Sequence, residues 1–264
     1  MLSSFLASRR QGLSPRTLEF YHCYLGHAIH VVGLNVKAED IRQFIGSLHC
    51  SNGGKHAYFR ALRAFYDWLY SARSGYGLNP QDNPILLVDA PKIERQILPS
   101  LTKEQVSYLI DYVGDLRDKA IISLFADSGM RLSELASIKA RCIDWENHTI
   151  TIWGKGNKQR KAPFATRTAE LLRQWISSNG AGTNIWHVNA SGIVSMLRRL
   201  ERETGLKCNP HTFRRTFASN LHRAGLDVEH IMRLGGWESL DMVLRYTRSV
   251  KFEDSLRLYQ NINS

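Results

Sequence analysis

A polar, proline-bearing stretch divides this chain of 264 residues into two unequal parts, and it limits the available folds more than any other feature. The stretch DAPKIERQILPS spans residues 89–100, and the loop-like SARSGYGLNPQDNP lies shortly before it. Proline, glycine and asparagine at this density interrupt helical periodicity, and the composition is typical of a linker between domains. We therefore predict one domain over residues 1–88, a linker over 89–100 and a second domain over 101–264.

The first domain shows the residue spacing of three helices. Ser14 and Pro15 predict a helix start, because serine is a preferred N-cap and proline lacks only an N–H that is unpaired at this position. Apolar residues then recur on one face of each expected helix. The three groups are Leu18, Tyr21, Leu25 and Ile29; Ile41, Phe44, Ile45 and Leu48; and Phe59, Leu62, Tyr66 and Leu69. They predict a small all-helical bundle.

The second domain is expected to be mainly helical with one β-hairpin. Thr102 and Gln105 have the spacing of a capping box at a helix start, and further helices are expected near 117–127 and 131–139. The segment TITIWGKGNKQRKAPF then alternates around a Gly-Lys-Gly-Asn turn, which is typical of a hairpin. From Thr166 onward the pattern is helical again. We predict a mainly α fold with a small antiparallel β-hairpin or sheet in this domain.

The charge of the chain favours a polyanionic partner. The formal net charge is +11 and the sequence pI is about 9.7, and nucleic acid is the commonest polyanion for such a protein; a generally basic enzyme is the simpler alternative. The cysteines are far apart and form no C-x-x-C pair, which argues against a disulfide framework or a zinc ribbon. No apolar run approaches the roughly 20 residues of a membrane span. We expect no metal, no cofactor, no membrane association and a reducing cytoplasm.

Several basic residues stand where they can bind an anion. Arg131 lies in DSGMRLSELASI with Glu134 three positions later, although a surface ion pair is the simpler interpretation. Lys155 lies between two glycines at the expected hairpin tip, where a solvated turn charge is the alternative. The returning strand carries Lys158, Arg160 and Lys161, which could line a phosphate backbone.

Two segments near the C-terminus are more specific. In NPHTFRRTF, Asn209 and Pro210 predict a helix start, so His211 and Arg214 lie in a first turn that favours an anion; a capping histidine with an exposed arginine is the alternative. In LGGWESLDMVLRYTRS, Tyr246 is either an ordinary helix aromatic or a nucleophile held beside a negatively charged group. The expected core anchors of this second segment are Val243 and Leu244.

In this order, the residues Arg131, Lys155, His211, Arg214, Trp237 and Tyr246 resemble those of the tyrosine recombinases, also called the phage integrase family. The boxes GMRLSEL, GKGNKQRKAPF, HTFRRTFASNL and LGGWESLDMVLRYTR are similar to the family's boxes, and GLSPRTLEFY resembles the start of its helical core-binding domain. The resemblance covers nearly the whole chain in an Xer-like two-domain layout. The final box has Gly-Trp, as in a subset resembling Cre recombinase, where many members have histidine.

The resemblance implies a reaction and a role for each residue. Tyr246 attacks the DNA phosphodiester to give a 3′-phosphotyrosyl enzyme, with the charge on the phosphoryl oxygens stabilised by Arg131, Arg214 and Trp237. Because indole only donates hydrogen bonds, proton transfer falls to His211 and Lys155. Glu134 is a secondary candidate that orients the first arginine. Neither ATP nor a metal is required.

The resemblance also implies an assembly. Two domains close as a C-shaped clamp around double-stranded DNA that carries a specific recombination site. A homo-tetramer forms on DNA from a protein that is a monomer or dimer when free, with accessory proteins as further partners and with cytoplasmic, nucleoid-associated localisation. The tail after Tyr246 is the segment exchanged between protomers, through Phe252, Leu256 and Leu258; packing on its own domain is the alternative. The expected DNA contacts are Lys55, Arg60, Arg63, Lys158, Arg160, Lys161 and Arg215.

Two other functions share part of this pattern. A type IB topoisomerase-like enzyme has the same phosphotyrosine chemistry, but the separate helical domain and the apolar tail favour an assembling recombinase that acts in integration, excision or resolution. A DNA-binding protein without catalysis is disfavoured because the tyrosine and both arginines are present.

Overall fold

The computed structural model describes residues 1–33, 36–93, 98–153, 159–180, 182–248 and 250–262. The chain forms two compact units, Met1–Arg95 and Gln96–Ser264. Each unit has its own hydrophobic core.

The first unit is helical throughout its regular structure. Its α-helices are α1 (Leu2–Arg9), α2 (Pro15–Val32), α3 (Ala38–Ser47) and α4 (Asn52–Leu69), and the 3₁₀ turns Ala72–Ser74, Pro80–Asp82 and Pro84–Leu87 follow. The helix start at Ser14 is confirmed, because its side chain accepts a hydrogen bond from the Thr17 N–H. The fourth helix, α1, adds to the three that the sequence predicted. Its Phe5 is fully buried and packs edge-on against Tyr21 and Phe65.

The second unit is a helical domain with a small sheet. Its α-helices are α5 (Lys103–Tyr112), α6 (Leu116–Ser128), α7 (Leu132–Ala136), α8 (Thr166–Asn179), α9 (Ala190–Thr204), α10 (Pro210–Arg223), α11 (Val228–Gly235), α12 (Leu240–Thr247) and α13 (Phe252–Ile262). The strands are β1 (Ile143–Asp144), β2 (Thr149–Trp153) and β3 (Gln159–Pro163), and they form one antiparallel sheet in that order. The mainly α fold with a small antiparallel sheet is therefore confirmed, as is the capping box of Thr102 and Gln105.

Helix α6 lies at the centre of this domain, where it packs against α5, α8 and α10. Its residues Ile121, Ile122, Leu124 and Phe125 are buried almost completely, because neighbours cover it on several sides. The register of the sheet sets Arg160 opposite the buried Ile152 and Lys161 opposite Thr151. Since side chains alternate between the faces of a strand, Arg160 lies on the inner face and Lys161 on the outer face.

A second, smaller apolar cluster supports the C-terminal helices. It consists of Phe217, Ala218, Ile231, Trp237 and Val243. Val243 is a core anchor as predicted, but the prediction for Leu244 is wrong, since its side chain is 46% exposed. Adjacent residues of a helix point about 100° apart, and the orientation of α12 turns Leu244 toward solvent while Val243 enters the core.

Candidate active site

Glu134 on α7 is the buried centre of one half of the site. Its side chain is only 3% exposed, and its carboxylate accepts hydrogen bonds from the guanidinium of Arg131 at 2.9 Å and from the backbone N–H of Arg131 at 2.8 Å. Burial by itself raises the pKa of this carboxyl, but the Arg131 hydrogen bonds and the charge of Arg160 outweigh it, so the pKa of Glu134 is lowered. Glu134 stays ionised and orients Arg131. The pair is not the surface ion pair that was the simpler interpretation.

Arg160 on β3 binds the same carboxylate from the other side. Its Nη2 donates to Oε2 of Glu134 at 2.8 Å, and its Nη1 donates to the backbone carbonyl of Leu234 at 3.1 Å. Only 15% of the side chain is exposed. The sequence suggested that Arg160 lines the DNA backbone, but the strand register turns its guanidinium inward instead.

Arg214 forms the other half of the site. The residue is 4% exposed, its Nη1 donates to the backbone carbonyl of Gly129, and its guanidinium carbon lies 4.1 Å from the centroid of the Trp237 ring. Burial first, and then the charges of Arg131 and Arg160, lower the pKa of Arg214 to about 10. Arg214 therefore remains charged at neutral pH, close to the positive charges of Arg131 and Arg160. This arrangement favours the binding of an anion.

Two adjacent glycines make room for the side chains of Trp237 and Arg160. A Cβ at Gly235 would occupy the space of the indole ring, and a Cβ at Gly236 would collide with the side chain of Arg160. Gly236 also has a φ of +63°, a left-handed conformation that favours glycine. The sequence Leu-Gly-Gly-Trp thus folds the indole back onto its own helix end, where it stacks on Phe217.

Tyr246 on α12 lies beside this tryptophan. The two ring centroids are 5.6 Å apart, and Tyr246 is half-buried. The backbone carbonyl of Tyr246 accepts a hydrogen bond from the Ser219 hydroxyl at 2.7 Å, which fixes α12 to α10. The phenol therefore lies on a helix that is joined to α10, next to Arg214 and Trp237.

His211 lies one helical turn before Arg214. Asn209 caps α10 by accepting from the Thr212 N–H, which confirms the predicted helix start. Loss of hydration, together with the charges of Arg215 and Arg214, lowers the pKa of His211. The exposed imidazole is consequently neutral near pH 7 and can accept a proton.

Three buried N–H donors in this cluster have no hydrogen-bond partner among the described residues. They are Nη2 of Arg214, Nε1 of Trp237 and Nε of Arg160. Buried donors are normally paired, and a tetrahedral oxyanion provides several acceptors at once. The arrangement can bind a phosphate group and place a phenol beside it.

The remaining predicted residues fall into three groups. Lys155 and Lys158 lie outside the described residues. Lys161 is exposed on the outer face of β3, 4.0 Å from Asp144. Arg215 is 8% exposed and donates to the Pro99 carbonyl and the Thr212 hydroxyl, so it is an internal contact of its domain and not the surface contact that the sequence suggested.

The first unit carries the other predicted DNA contacts. Lys55 donates to the Gly46 carbonyl at 3.0 Å, and the exposed Arg60 lies over the Phe20 ring. The exposed Arg63 pairs loosely with Asp67 at 3.7 Å. All three lie on α4.

Some contributors to the site were missed by sequence reasoning. The Gly129 and Leu234 carbonyls and the Ser219 hydroxyl position Arg214, Arg160 and α12, respectively. Their roles depend on tertiary packing, and no spacing in the sequence indicates them. The pair Gly235-Gly236 did carry a signal, because consecutive glycines at a helix end indicate close approach.

Arginines and an indole gathered beside a tyrosine define a class of protein: enzymes that transfer a phosphoryl group of a polyanion to a tyrosine hydroxyl.

Within the described residues, no helix has the length and apolar character to span a membrane. Nor does any group of three or more His, Cys, Asp or Glu residues in this part of the chain have the arrangement of a metal site.

Comparison with known proteins identifies the family. Residues 99–252 match the model of the phage integrase family. The tyrosine recombinase XerC of Anoxybacillus flavithermus is 33% identical over 248 residues, covering 84% of this chain and 80% of the relative. XerC of Syntrophus aciditrophicus is 30% identical over 240 residues, covering 81% of this chain and 76% of the relative. The chain belongs to the phage integrase family of tyrosine recombinases, the enzymes that cleave and rejoin DNA through a tyrosine in site-specific recombination.

Solved structures support the fold. A lambda integrase dimer bound to a COC′ core site superposes with a TM-score of 0.74 at 17% identity, covering 94% of this chain and 93% of that chain. The Tn1549 transposon integrase in complex with transposon right end DNA also has a TM-score of 0.74 at 17% identity, covering 100% of this chain and 99% of that chain. These likenesses concern the fold alone.

Proposed function

We propose that Tyr246 is the nucleophile that cuts DNA and that the cluster around it holds the scissile phosphate. The observation that carries this proposal is the pair of buried donors on Arg214 and Trp237, next to the Tyr246 ring, that have no hydrogen-bond partner among the described residues. The phenol oxygen attacks phosphorus, the bond from phosphorus to the 5′-oxygen breaks, and a 3′-phosphotyrosyl enzyme and a free 5′-hydroxyl result. The covalent bond conserves the phosphodiester energy, so rejoining requires neither ATP nor a metal.

The arginines and the indole stabilise the transition state. Negative charge grows on the phosphoryl oxygens, and Arg131, Arg214 and Trp237 donate hydrogen bonds to them. One such preorganised donor commonly contributes about 3 to 4 kcal/mol. Glu134 fixes Arg131 in the required orientation through its 2.9 Å ion pair.

Two residues move protons in this proposal. His211, whose pKa is lowered by lost hydration and by Arg215 and Arg214, accepts the phenol proton of Tyr246. Lys155, which lies outside the described residues, gives a proton to the leaving 5′-oxygen. A guanidinium cannot do so because it stays charged.

DNA binding and specificity involve both units. The partner is double-stranded DNA with a specific recombination site, and Lys55, Arg60, Arg63, Lys158 and Lys161 contact its backbone. Such contacts position the protein, while side chains that reach base edges provide specificity. Cytoplasmic, nucleoid-associated localisation follows from this partner.

A homo-tetramer on two DNA sites, formed by exchange of α13, completes the proposal. On α13, Phe252 is 74% exposed and Leu256 is 40% exposed. The same domain has a cavity of about 520 Å³ lined mainly by apolar side chains, among them Val106, Ile110, Phe164 and Leu221. An apolar helix face and an apolar cavity on identical chains are suited to a head-to-tail ring. Accessory proteins are further partners in this proposal.

The phosphate roles are tested with Arg131→Ala and Arg214→Ala on a nicked suicide substrate. Both variants are expected to bind DNA within a few-fold of the unmodified protein and to form the covalent adduct at least about 100-fold more slowly. Normal cleavage by either variant would remove that arginine from the phosphate clamp.

A further inference from the structure

Arg160 connects three parts of the catalytic domain that are distant in sequence. It lies on β3, its Nη2 donates to Glu134 of the first arginine box, and its Nη1 donates to the carbonyl of Leu234 at the end of α11. These distances are 2.8 Å and 3.1 Å. Arg131 itself makes a longer link to the same turn, because its Nη2 donates to the Gly236 carbonyl at 3.5 Å while its Nη1 donates to Glu134.

The aliphatic part of the Arg160 side chain is also closely packed. It fills the space that a side chain at Gly236 would need, one residue before Trp237. The backbone of this turn is thus held on one side by a hydrogen bond to Leu234 and on another by direct packing against Gly236. Trp237, which carries a proposed phosphate donor, follows immediately.

Arg160 also completes the environment of Glu134. One Glu134 oxygen accepts from both Arg160 and the Arg131 backbone, so the other oxygen is left for the Arg131 guanidinium at 2.9 Å. Without Arg160, the second oxygen would keep only the Arg131 backbone N–H, and the carboxylate could turn to bind the Arg131 guanidinium with both oxygens. The guanidinium of Arg131 would then turn toward Glu134 and away from the substrate.

We propose that Arg160 is a positioning residue for DNA cleavage, which bridges Glu134 and the Leu234 carbonyl and so sets Arg131 and Trp237 at the distance that the scissile phosphate requires. This inference rests on the proposed function of the site. In this role Arg160 acts through its neighbours and not through direct neutralisation of the phosphate.

The main test compares Arg160→Lys and Arg160→Met with Arg233→Met as a matched control. Arg233 on α11 forms an exposed ion pair with Glu229 at 3.8 Å, and its side chain is 69% exposed. Arg233→Met therefore removes an arginine–glutamate pair but leaves the Arg160 bridge intact. Each variant is assayed for thermal midpoint, DNA affinity and single-turnover adduct formation at saturating substrate.

The lysine variant keeps the charge beside Glu134, but one ammonium cannot reproduce the planar two-point bridge. We expect Arg160→Lys to bind DNA within about 3-fold of the unmodified protein and to cleave at least about 10-fold more slowly. Arg160→Met should cleave about 100-fold more slowly than the unmodified protein, while Arg233→Met should cleave at the normal rate. Cleavage by Arg160→Lys within 2-fold of normal would overturn the proposal, whether or not the methionine variant folds.

A substrate with a methylphosphonate at the scissile position separates positioning from direct contact. This group has lost one negative charge, so a variant that lacks a charge-neutralising arginine, such as Arg214→Ala, should recover part of its rate. The Arg160→Lys variant should not recover. Recovery equal to that of Arg214→Ala would show that Arg160 contacts the phosphate directly and would overturn the positioning role.

The same experiment separates failure of this inference from failure of the proposed function. If the unmodified protein forms an adduct that requires Tyr246 but Arg160→Lys is normal, only the inference fails. If the unmodified protein forms no adduct on its own recombination site, the proposed function fails.

Discussion

Trp237 combines packing and hydrogen bonding in one side chain. Its ring stacks on Phe217 and lies under the Arg214 guanidinium, and its Nε1 is a buried donor with no partner among the described residues. Phenylalanine at this position keeps most of the packing and loses the donor, whereas histidine keeps a donor and loses packing. The two substitutions therefore separate the two contributions.

We predict that Trp237→Phe cleaves about 100-fold more slowly. Its free energy of unfolding should fall by only about 1 to 2 kcal/mol. Trp237→His should retain partial activity and exceed the phenylalanine variant. Adduct formation on a suicide substrate measures the rates, and chemical denaturation measures stability. Complete loss in the histidine variant would mean that indole packing matters more than hydrogen bonding.

The pH dependence of cleavage reports on His211. Its pKa lies below the ordinary 6.5 because of lost hydration and the charges of Arg215 and Arg214. The imidazole is neutral above that pKa and accepts the Tyr246 proton; as the pH falls through it, the imidazole becomes charged and the rate drops. We predict a single-turnover rate that is constant near neutrality and falls only below about pH 6.5.

His211→Gln provides the control for this profile. Glutamine does not titrate, so the acidic fall should disappear and the plateau should be about 100-fold lower. An unchanged acidic fall in the glutamine variant would assign it to another group.

At the level of elements, the turn between α11 and α12 depends on Gly235. A Cβ there would take the space of the Trp237 ring, and overpacking of a filled site commonly destabilises a protein by about 1 to 3 kcal/mol. We predict that Gly235→Ala lowers stability by about this amount and impairs cleavage more than DNA binding. Gly26→Ala on α2, where a Cβ meets no atom within 4 Å, should leave stability equal or higher; equal effects of both changes would contradict the account.

Secondary structure was predictable from sequence where caps and apolar stripes coincide. Ser14, Thr102 and Asn209 each form the expected side-chain cap. Helix α1 was missed because it has eight residues and no side-chain cap, and helices this short are marginal without tertiary packing. Its stability depends on Phe5, whose burial against α2 and α4 cannot be read from local spacing.

The orientation of the β3 residues was less predictable. Whether Arg160 or Lys161 faces inward depends on the hairpin register, since a shift by one residue exchanges the two faces of the strand. The pairing of Ile152 with Arg160 turns that arginine toward Glu134. For the same reason the order of the sequence boxes predicted the candidate residues but not the bridge that connects them.

For the whole molecule, the proposed assembly through α13 is expected to be separable from DNA binding. Phe252 and Leu256 are exposed on α13, so replacing them with serine should leave the folded domain stable. We predict that the double variant Phe252→Ser, Leu256→Ser binds a single site normally but forms fewer four-protomer complexes on two sites. Mass photometry of the DNA complexes measures this, and an unchanged tetramer fraction would contradict exchange through the apolar face of α13.

In the proposed reaction Tyr246 becomes covalently joined to DNA in a site built from Arg131, Glu134, Arg214 and Trp237. The most direct measurement is denaturing electrophoresis of the protein with a nicked suicide substrate carrying its recombination site, in EDTA and without ATP. We predict a covalent adduct with the unmodified chain and none with Tyr246→Phe, although that variant binds the same DNA. An adduct that persists unchanged in Tyr246→Phe would contradict the account.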